Sequence, residues 1–335
     1  MLDSAVTVII PTLAADPVLM ECLDSLERQT TSGFQVVVVD NSGKKAVRRM
    51  AAGRNITIVE PGRNLGFGPA VNLAIRQTTS TFVATLNDDA VAHSGWVEAL
   101  AGAMKRHPDA GMCASQVRLA GNGRLDSAGM LLCADGSSKQ RGHLCNPAGF
   151  HCEREVLLPS GSAAMYRRAM LDETGLFDDR FFLYCEDTDL GLRGCWAGWK
   201  CLYVPEAIVE HRYSHSTGRA SPLKAYYVER NRLFVAVKNF PAAMLWKAPF
   251  VSTLRYLWHL VYMFRGRGAG AEFRGGHSAL LLPWYVLRAH MALLGSLPDL
   301  WRERRRIRTR ARISSSEFGR LAAMHRISAR QVAQL

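Results

Sequence analysis

Strand and helix signals alternate along residues 1–116, and this alternation constrains the fold more than any other feature of the chain. Helices are expected to begin at Pro17, with Asp16 as its N-cap, at Pro69 and at Ser94. Strands alternating with helices predict an α/β fold, in which a mostly parallel sheet is covered by helices. The predicted strands are the β-branched or apolar runs Val6–Ile10, Gln35–Val39, Asn55–Val59 and Thr81–Leu86.

The residues that follow these strands are the first candidates for a binding site. In a parallel α/β sheet, ligands bind beyond the carboxyl ends of the strands, so these segments should converge on one crevice. One of them contains Gly66 in a turn that leads into a helix, where backbone can approach a nucleotide closely. The four segments are Pro11-Thr12, Asp40-Asn41-Ser42, the loop from Arg63 to Gly68, and Asn87-Asp88-Asp89.

Two acidic clusters lie beside strongly apolar sequence, where uncompensated carboxylates are costly. The first is Asn87-Asp88-Asp89, and the second is Glu186-Asp187-Thr188-Asp189. Carboxylates in such places usually hold a metal, accept a proton or pair with a cation. A metal-holding cluster and a proton-accepting cluster together suit group transfer from a phosphorylated donor. Turn formation and helix capping are the simpler alternatives for the two clusters.

The composition is strongly basic, with a formal charge of +13 and a pI of about 9.7. Such a balance indicates anionic partners, which include nucleic acid, an anionic membrane surface and phosphorylated substrates. The excess is concentrated in residues 301–312, where seven arginines stand against one glutamate. No zinc-finger, RNA-binding or helix-turn-helix pattern accompanies it, which argues against a nucleic-acid-binding protein.

The eight cysteines include no Cys-x-x-Cys pair, and the sequence shows no targeting segment. This usage predicts a reducing, cytoplasmic environment. One alternative is a zinc site, but its spacing fits no common template. Its members would be His143, Cys145, His151 and Cys152.

After Pro241 the character of the chain changes to apolar segments interrupted by basic residues. Ala242–Phe264 and Leu280–Leu297 are both marginal as spanning helices. Their charges and the tryptophans at 246, 258, 284 and 301 favour helices that lie in a membrane interface. The alternative is an ordinary helical subdomain packed on the core. The interrupting residues are Lys247, Arg255, His259, Arg288 and His290.

Taken in order, the motifs resemble those of the family 2 inverting glycosyltransferases of the GT-A fold. The resemblance covers Val6 to Phe240 and is closest to the rhamnosyltransferase-like branch that acts on polyprenyl-diphosphate-linked sugars. It is carried by Val8-Ile9-Ile10-Pro11-Thr12, Val39-Asp40-Asn41-Ser42, Asn64-Leu65-Gly66-Phe67-Gly68, Ala70, Asn72, Leu86-Asn87-Asp88-Asp89-Ala90, Gly161, Gly175-Leu176-Phe177-Asp178, Phe181-Phe182-Leu183-Tyr184, Glu186-Asp187-Thr188-Asp189-Leu190, Gly198, His211 and Arg230-Asn231.

The resemblance implies a Rossmann-like, mostly parallel sheet flanked by helices. It divides residues 1–240, the catalytic domain, into a nucleotide-sugar-binding half (1–116) and an acceptor-binding half (117–240). Residues 241–335 would form a helical, basic, membrane-associating region. The protein is then expected in the cytoplasm, peripherally bound to the inner face of the cell membrane.

Site residues follow from the same resemblance. Asp40 would read a pyrimidine base, Asp187 would act as the general base, and Glu186 would orient the reacting groups. Asp89 and His211 would hold a divalent metal, Mg²⁺ or Mn²⁺, on the donor diphosphate. The acceptor would be bound by Gly161, Ser162 and Asp189. The donor would be bound by Pro11, Thr12, Asp40, Asn41, Asn64, Gly66, Asn72, Asn87 and Asp88.

The implied reaction moves L-rhamnose from dTDP-rhamnose to a hydroxyl of a lipid-linked or cell-surface glycan. Other donors remain open, namely UDP-hexose, UDP-galactofuranose or UDP-GlcNAc, and a sugar nucleotidyltransferase is a more distant alternative. Two departures from the family pattern concern the metal. Asp88 stands where the branch often has proline, so it would share metal binding. Asn87 stands where the family often has aspartate, which removes one formal charge.

Overall fold

The computed structural model describes residues 5–13, 16–212, 221–266 and 281–334. Within them the chain forms two compact units. The first comprises residues 1–130, 140–183 and 199–215, and the second residues 131–139, 184–198 and 216–335, as far as these are described. Asp89 and His211 therefore belong to the first unit, and Asp187 to the second.

The first unit carries five helices and most of the strands among the described residues. Its helices are α1 (Pro17–Glu27), α2 (Ala46–Met50), α3 (Phe67–Arg76), α4 (Trp96–Arg106) and α5 (Arg168–Thr174). The strands of the whole described chain are β1 (Val6–Thr12), β2 (Phe34–Asp40), β3 (Thr57–Val59), β4 (Phe82–Leu86), β5 (Ala90–Ala92), β6 (Ala110–Leu119), β7 (Leu125–Ser127), β8 (Met130–Leu132), β9 (Ser138–Gln140), β10 (Arg154–Val156), β11 (Ala163–Arg167) and β12 (Lys200–His211).

The central sheet has the order β10-β12-β6-β11-β4-β1-β2-β3, with β5 added to β12 and β7 to β6. The four strands from β3 to β4 run parallel, while β11 lies antiparallel between β4 and β6. Val36 to Val39 are buried because this part of the sheet is covered on both faces. The predicted alternation of strands and helices is thus confirmed for β1 to β4.

Strands β6 and β12 are two of the elements that differ from the sequence prediction. Strand β6 was not predicted, because small residues such as Gly111 and Ala114 give a weak strand signal. A Cβ on Gly111 would lie 2.8 Å from the Cβ of Trp199, which cannot move independently of the backbone, so the packing there favours glycine. For β12 the sequence alone indicates two strands, Lys200–Val204 and Ala207–Glu210. It is one strand whose register shifts between Val204 and Ile208, on either side of Pro205.

The second unit is helical. Its helices are α6 (Glu186–Trp196), α7 (Pro222–Asn239), α8 (Ala242–Phe264), α9 (Leu282–Thr309), α10 (Ser315–Met324) and α11 (Ala329–Gln334). Ser221 caps α7, and Ser314 with Glu317 forms a capping box on α10. Leu280, the expected start of α9, lies outside the described residues. None of the helices in the described segments is long and apolar enough to cross a membrane.

The charges of α8 do not lie where the sequence suggested. Arg255 is only 7% exposed and pairs with Asp135 at 2.6 Å and with Glu229 at 2.8 Å. His259 Nε2 lies 3.3 Å from the Arg255 guanidinium. Arg255 faces the interior because the carboxylates of Asp135 and Glu229 compensate its charge, and His259 lies beside it. They therefore do not support the interfacial position that was inferred from them.

Helices α8 and α9 instead expose rows of apolar side chains. On α8, Trp246 is 76% exposed and Phe250 77% exposed. On α9 the exposed residues lie three, four or seven positions apart, which places them on one helical face. Together the exposed residues are Trp246, Phe250, Leu254, Leu257, Leu260 and Phe264 on α8, and Trp284, Leu287, Met291, Leu294 and Trp301 on α9.

Candidate functional site

Hydrogen bonds connect the predicted strand ends of the first unit. The backbone N–H of Asn41, after β2, donates to the carbonyl of Thr12 at 2.8 Å. The Thr12 hydroxyl donates to Asp88, after β4, at 2.6 Å. The side-chain amide of Asn41 donates to Asn64 Oδ1 at 3.1 Å. The expected convergence of the four segments is confirmed, because this chain of contacts joins all of them.

Asp40 is buried, and both of its carboxylate oxygens accept hydrogen bonds from the protein. Oδ1 accepts from the backbone N–H and the hydroxyl of Ser42, and Oδ2 accepts from the backbone N–H of Val47 at 3.1 Å. These bonds make an Asx turn and fix the start of α2. Pro11, on β1, pairs with Val39 of β2 and is partly buried at this edge. A role of Asp40 in reading a base stays a prediction.

Two residues expected to bind the donor are occupied within the protein. Gly66 has a φ of +84°, and a Cβ there would lie 2.0 Å from the carbonyl oxygen of Phe182. The close approach is therefore to protein backbone, and Phe67 N–H donates to the same oxygen at 2.7 Å. Asn72 is 1% exposed and bonds both the N–H and the carbonyl of Phe177. In both residues, the group that was expected to contact a nucleotide contacts protein backbone instead.

The metal candidates Asp89 and His211 lie together. His211, at the end of β12, places Nε2 3.1 Å from Oδ1 of Asp89 and Nδ1 2.9 Å from Oδ2 of Asp126. Burial opposes charge on the imidazole, but the carboxylates Asp126 and Asp89 raise the pKa of His211 to about 10. The Nδ1 proton faces Asp126, so Nε2 is the ring atom directed at Asp89.

Asp126 is a site residue that the sequence did not indicate, and His143, which the sequence suggested only for a zinc site, contacts it. Asp126 is 2% exposed, and its Oδ1 lies 3.3 Å from Nδ1 of His143. Although burial raises it, the two histidines lower the pKa of Asp126 below its usual range. Its sequence context, Leu125-Asp126-Ser127, carries no motif, so only the pairing of β7 with β6 brings it to the site.

The side chains present fit a divalent ion. Within the described segments no three His, Cys, Asp or Glu side chains form a metal site, and this includes the alternative zinc set around Cys145. Asp89 Oδ1 is buried, and among the described residues it accepts no hydrogen bond of good geometry. It lies 3.1 Å from Nε2 of His211, which is an ion-pair distance. A cation held by one or two protein ligands and by substrate phosphates needs no third side chain.

Asn87, Asp88, Gly161 and Ser162 surround the same strand end. Asn87 N–H donates to the carbonyl of Ser162 at 2.8 Å, and the Thr85 hydroxyl donates to that of Gly161 at 2.9 Å. Burial raises the pKa of Asp88 to about 6, against the lowering effect of the Thr12 hydroxyl. The structure thus places two predicted acceptor residues beside predicted donor residues.

In the second unit, Glu186 and Asp187 begin α6 in different environments. Asp187 is partly exposed, and its Oδ1 accepts from the backbone N–H of Thr188 at 2.6 Å. Glu186 is 7% exposed, and its Oε2 has no hydrogen-bond partner in the part of the chain that is described. Burial, then the charge of Asp187, raises the pKa of Glu186 to about 8. Near neutral pH, Glu186 is therefore mostly protonated.

A strained turn presents these carboxylates. Tyr184 and Cys185, just before α6, have φ values of +69° and +64°, which are unfavourable for residues other than glycine. Asn231 of α7 stabilises the turn, because its side-chain amide donates to the Tyr184 carbonyl at 2.7 Å. This contact gives a physical reason for an asparagine at position 231.

Asp189 does not have the expected acceptor-binding geometry. It is fully buried, and its carboxylate lies 2.8 Å from Lys238 Nζ and 2.9 Å from Arg193 Nε. Asn239 donates to the same carboxylate at 2.9 Å. These partners lock α6 onto α7, so Asp189 positions the helix that carries Asp187.

The chain is similar in sequence to several known proteins. The model of the family "Glycosyl transferase family 2" matches residues 7–175. The N-acetylglucosaminyl-diphospho-decaprenol L-rhamnosyltransferase of Mycobacterium tuberculosis is 32% identical over 275 residues, which are 74% of this chain and 88% of the relative. The O-antigen chain rhamnosyltransferase RfbN of Salmonella typhimurium is 26% identical over 227 residues, 63% of this chain and 67% of the relative.

Two solved structures share the fold. GalNAc-T7 with UDP, GalNAc and Mn²⁺ aligns with a TM-score of 0.60 and 13% identity over 75% of this chain. The chain spans 50% of the length of that neighbour. The mannosyltransferase PcManGT from Pyrobaculum calidifontis, with GDP-Man and Mn²⁺, aligns with a TM-score of 0.50 and 20% identity over 96% of this chain and 86% of its own.

Proposed function

Because this chain belongs to glycosyl transferase family 2, and is therefore a glycosyltransferase, we propose that it transfers L-rhamnose from dTDP-rhamnose with inversion. The proposed acceptor is a hydroxyl of a polyprenyl-diphosphate-linked or cell-surface glycan. The observation that carries the proposal is the 32% identity with a rhamnosyltransferase over 74% of the chain. The Asp89–His211 pair at a strand end supports it, since a donor diphosphate is bound at such a place.

The first unit binds the donor in this proposal. Asp40 and Thr12 would face the nucleotide. Asp89 and His211 would hold a divalent ion, Mg²⁺ or Mn²⁺, and His211 would lose its Nε2 proton when the ion binds. Asp126 would keep Nε2 directed toward Asp89, as carboxylates do for metal-bound histidines. A bound cation would neutralise charge on the departing nucleoside diphosphate.

The second unit supplies the base. Asp187 takes the proton of the acceptor hydroxyl while that oxygen forms a bond to the anomeric carbon. The bond from this carbon to the donor phosphate breaks, and the nucleoside diphosphate leaves with the electron pair. Attack from the face opposite the leaving group inverts the anomeric configuration. Glu186, protonated near neutral pH, lies beside the base and adds no second negative charge to it.

A panel of nucleotide sugars tests the donor. We expect turnover with dTDP-rhamnose to exceed that with UDP-hexoses, UDP-galactofuranose and UDP-GlcNAc by at least about 10-fold, the usual size of discrimination by a few contacts. The product should be free dTDP and a new glycosidic bond, measured by chromatography. A preference for another donor would contradict the rhamnosyl assignment. Release of pyrophosphate with a new sugar nucleotide would indicate a nucleotidyltransferase instead.

We further propose that α8 and α9 bind an anionic membrane surface at the cytoplasmic face. Their exposed apolar rows suit the acyl boundary, and Arg302, Arg305 and Arg306 are exposed beside Trp301. A lipid-linked acceptor would be reached from that position. A second copy of the chain is the other occupant that such rows could accept, but the adjoining arginines would repel their equivalents in the copy.

Replacing Trp246 and Phe250 together with glutamate should weaken binding to anionic vesicles by about 100-fold or more. Each large apolar side chain moved out of water contributes about 1.5–3 kcal/mol, and the new charges repel the lipid. Co-sedimentation with phosphatidylglycerol vesicles at low salt measures the effect. Met50→Glu, at an exposed methionine of the first unit, is the matched control. Equal sedimentation of both variants would remove the membrane assignment.

A further inference from the structure

An excess of positive charge gathers inside the second unit. Two buried carboxylates, Glu229 and Asp135, pair with the two buried guanidinium groups of Arg232 and Arg255. These four charges cancel. Lys139, in the middle of β9, makes no hydrogen bond or ion pair with any residue that the structure describes. Burying a cation without a counter-charge costs free energy, so the position of Lys139 indicates that an anionic ligand binds there.

Contacts of neighbouring residues locate the segment that carries Lys139. Ser138, its neighbour in β9, lies 2.7 Å from the hydroxyl of Thr188, which adjoins Asp187 in α6. Lys224, in the first turn of α7, holds its ammonium 5.9 Å from the centre of the Tyr184 ring. Both lysines thus belong to segments that pack against the residues around the start of α6.

The surroundings are electropositive. Burial, then the charges of Lys224 and Arg255, lowers the pKa of Lys139 to about 8. Burial, then Arg255 and Lys139, lowers the pKa of His259 to about 4, so that imidazole adds no charge. The carboxylates nearest to Arg255 are already paired with it and with Arg232. An anion placed between the two lysines would relieve this repulsion.

We infer that Lys139 and Lys224 bind a substrate diphosphate beside the start of α6. The inference rests on the proposed function, in which the acceptor carries a diphosphate and reacts at Asp187 of the same helix. Lysine ammonium groups bind phosphate as compact charges with three donors each. The donor also carries a diphosphate, so the same chemistry has two sources, and the experiment separates them.

Steady-state kinetics of Lys139→Met make the first test. With a short-chain N-acetylglucosaminyl-diphospho-polyprenol as acceptor, KM for the acceptor should rise about 10- to 100-fold, the effect of losing one charged hydrogen bond. KM for dTDP-rhamnose should change by less than about twofold. Lys105→Met, at an exposed lysine of α4, is the matched control. A rise in the donor KM instead would assign the same subsite to the donor, and no rise in either would overturn it.

Protection of the wild-type protein makes the second test and needs neither a variant nor turnover. An amine with a pKa of about 8 reacts readily with acylating reagents near neutral pH. Inorganic pyrophosphate and the acceptor analogue should each slow labelling of Lys139 by at least about fivefold, as read by mass spectrometry of the peptide. Unchanged labelling would overturn the inference even where rhamnose is transferred. Protection without transfer would instead tell against the proposed reaction alone.

Discussion

Asp187→Asn should abolish most turnover while leaving donor binding intact. The amide keeps the size of the side chain and cannot accept the hydroxyl proton, so kcat should fall by about 10²- to 10⁴-fold, the usual contribution of a general base. The dTDP-rhamnose dissociation constant, measured by calorimetry, should stay within about twofold because Asp187 is assigned no donor contact. Asp187 is partly exposed, so the substitution should leave the fold unchanged by circular dichroism.

Glu186→Gln is the matched comparison for this prediction. The pKa of Glu186 is raised to about 8, so the neutral amide resembles the form that predominates near neutral pH. Its kcat should fall by about 10-fold or less, because it loses an orienting proton donor and no base. If Glu186→Gln lost turnover and Asp187→Asn kept it, the base would be Glu186, and the assignment of Asp187 would be wrong.

Asp89→Ala should weaken donor and metal binding together. The carboxylate is the proposed anionic metal ligand, so Mn²⁺ affinity should fall by about 10- to 100-fold, as measured by electron paramagnetic resonance. The dissociation constant for dTDP in the presence of Mn²⁺ should rise in parallel, and a chelator should reproduce this loss in the wild type. Folding should persist, because Asp126 still neutralises the buried His211.

Asp109→Ala controls for the loss of a carboxylate from the same unit, since Asp109 pairs at the surface with Lys200 at 2.8 Å. It should leave metal and donor binding unchanged. An Asp89→Ala protein with wild-type Mn²⁺ affinity, or an enzyme indifferent to chelator, would contradict the proposed metal site.

The strand ends of the first unit were predictable because local patterns determine them. Val36 to Val39 must form a buried strand, and the position of Asp40 and Asn41 at its end follows from parallel topology. A local sequence pattern does not identify the distant residue to which a polar side chain is hydrogen-bonded. Asn72 and Phe177 lie 105 residues apart, so a motif residue that braces a distant loop has the same sequence signature as one that contacts a ligand.

The same limit explains the residues that were missed. Asp126 belongs to a region rich in turn formers, and only its contact with His211, 85 residues away, marks it as part of the site. Asp189 lies next to the candidate catalytic carboxylates in the sequence, but in the structure its carboxylate binds Lys238 and Asn239. Asp187 is partly exposed and Asp189 is buried, although both lie in one turn of α6. The difference arises because α7 covers Asp189.

The salt bridge between Asp135 and Arg255 also bears on how the chain folds during synthesis. The two residues are 120 positions apart, so Asp135 leaves the ribosome on the order of ten seconds before its partner at ordinary elongation rates. Until Arg232 and then Arg255 have emerged, Asp135 lacks both of its arginine partners and must stay solvated. The second unit can therefore complete its interior only after α8 has emerged, which makes it the later of the two units to consolidate.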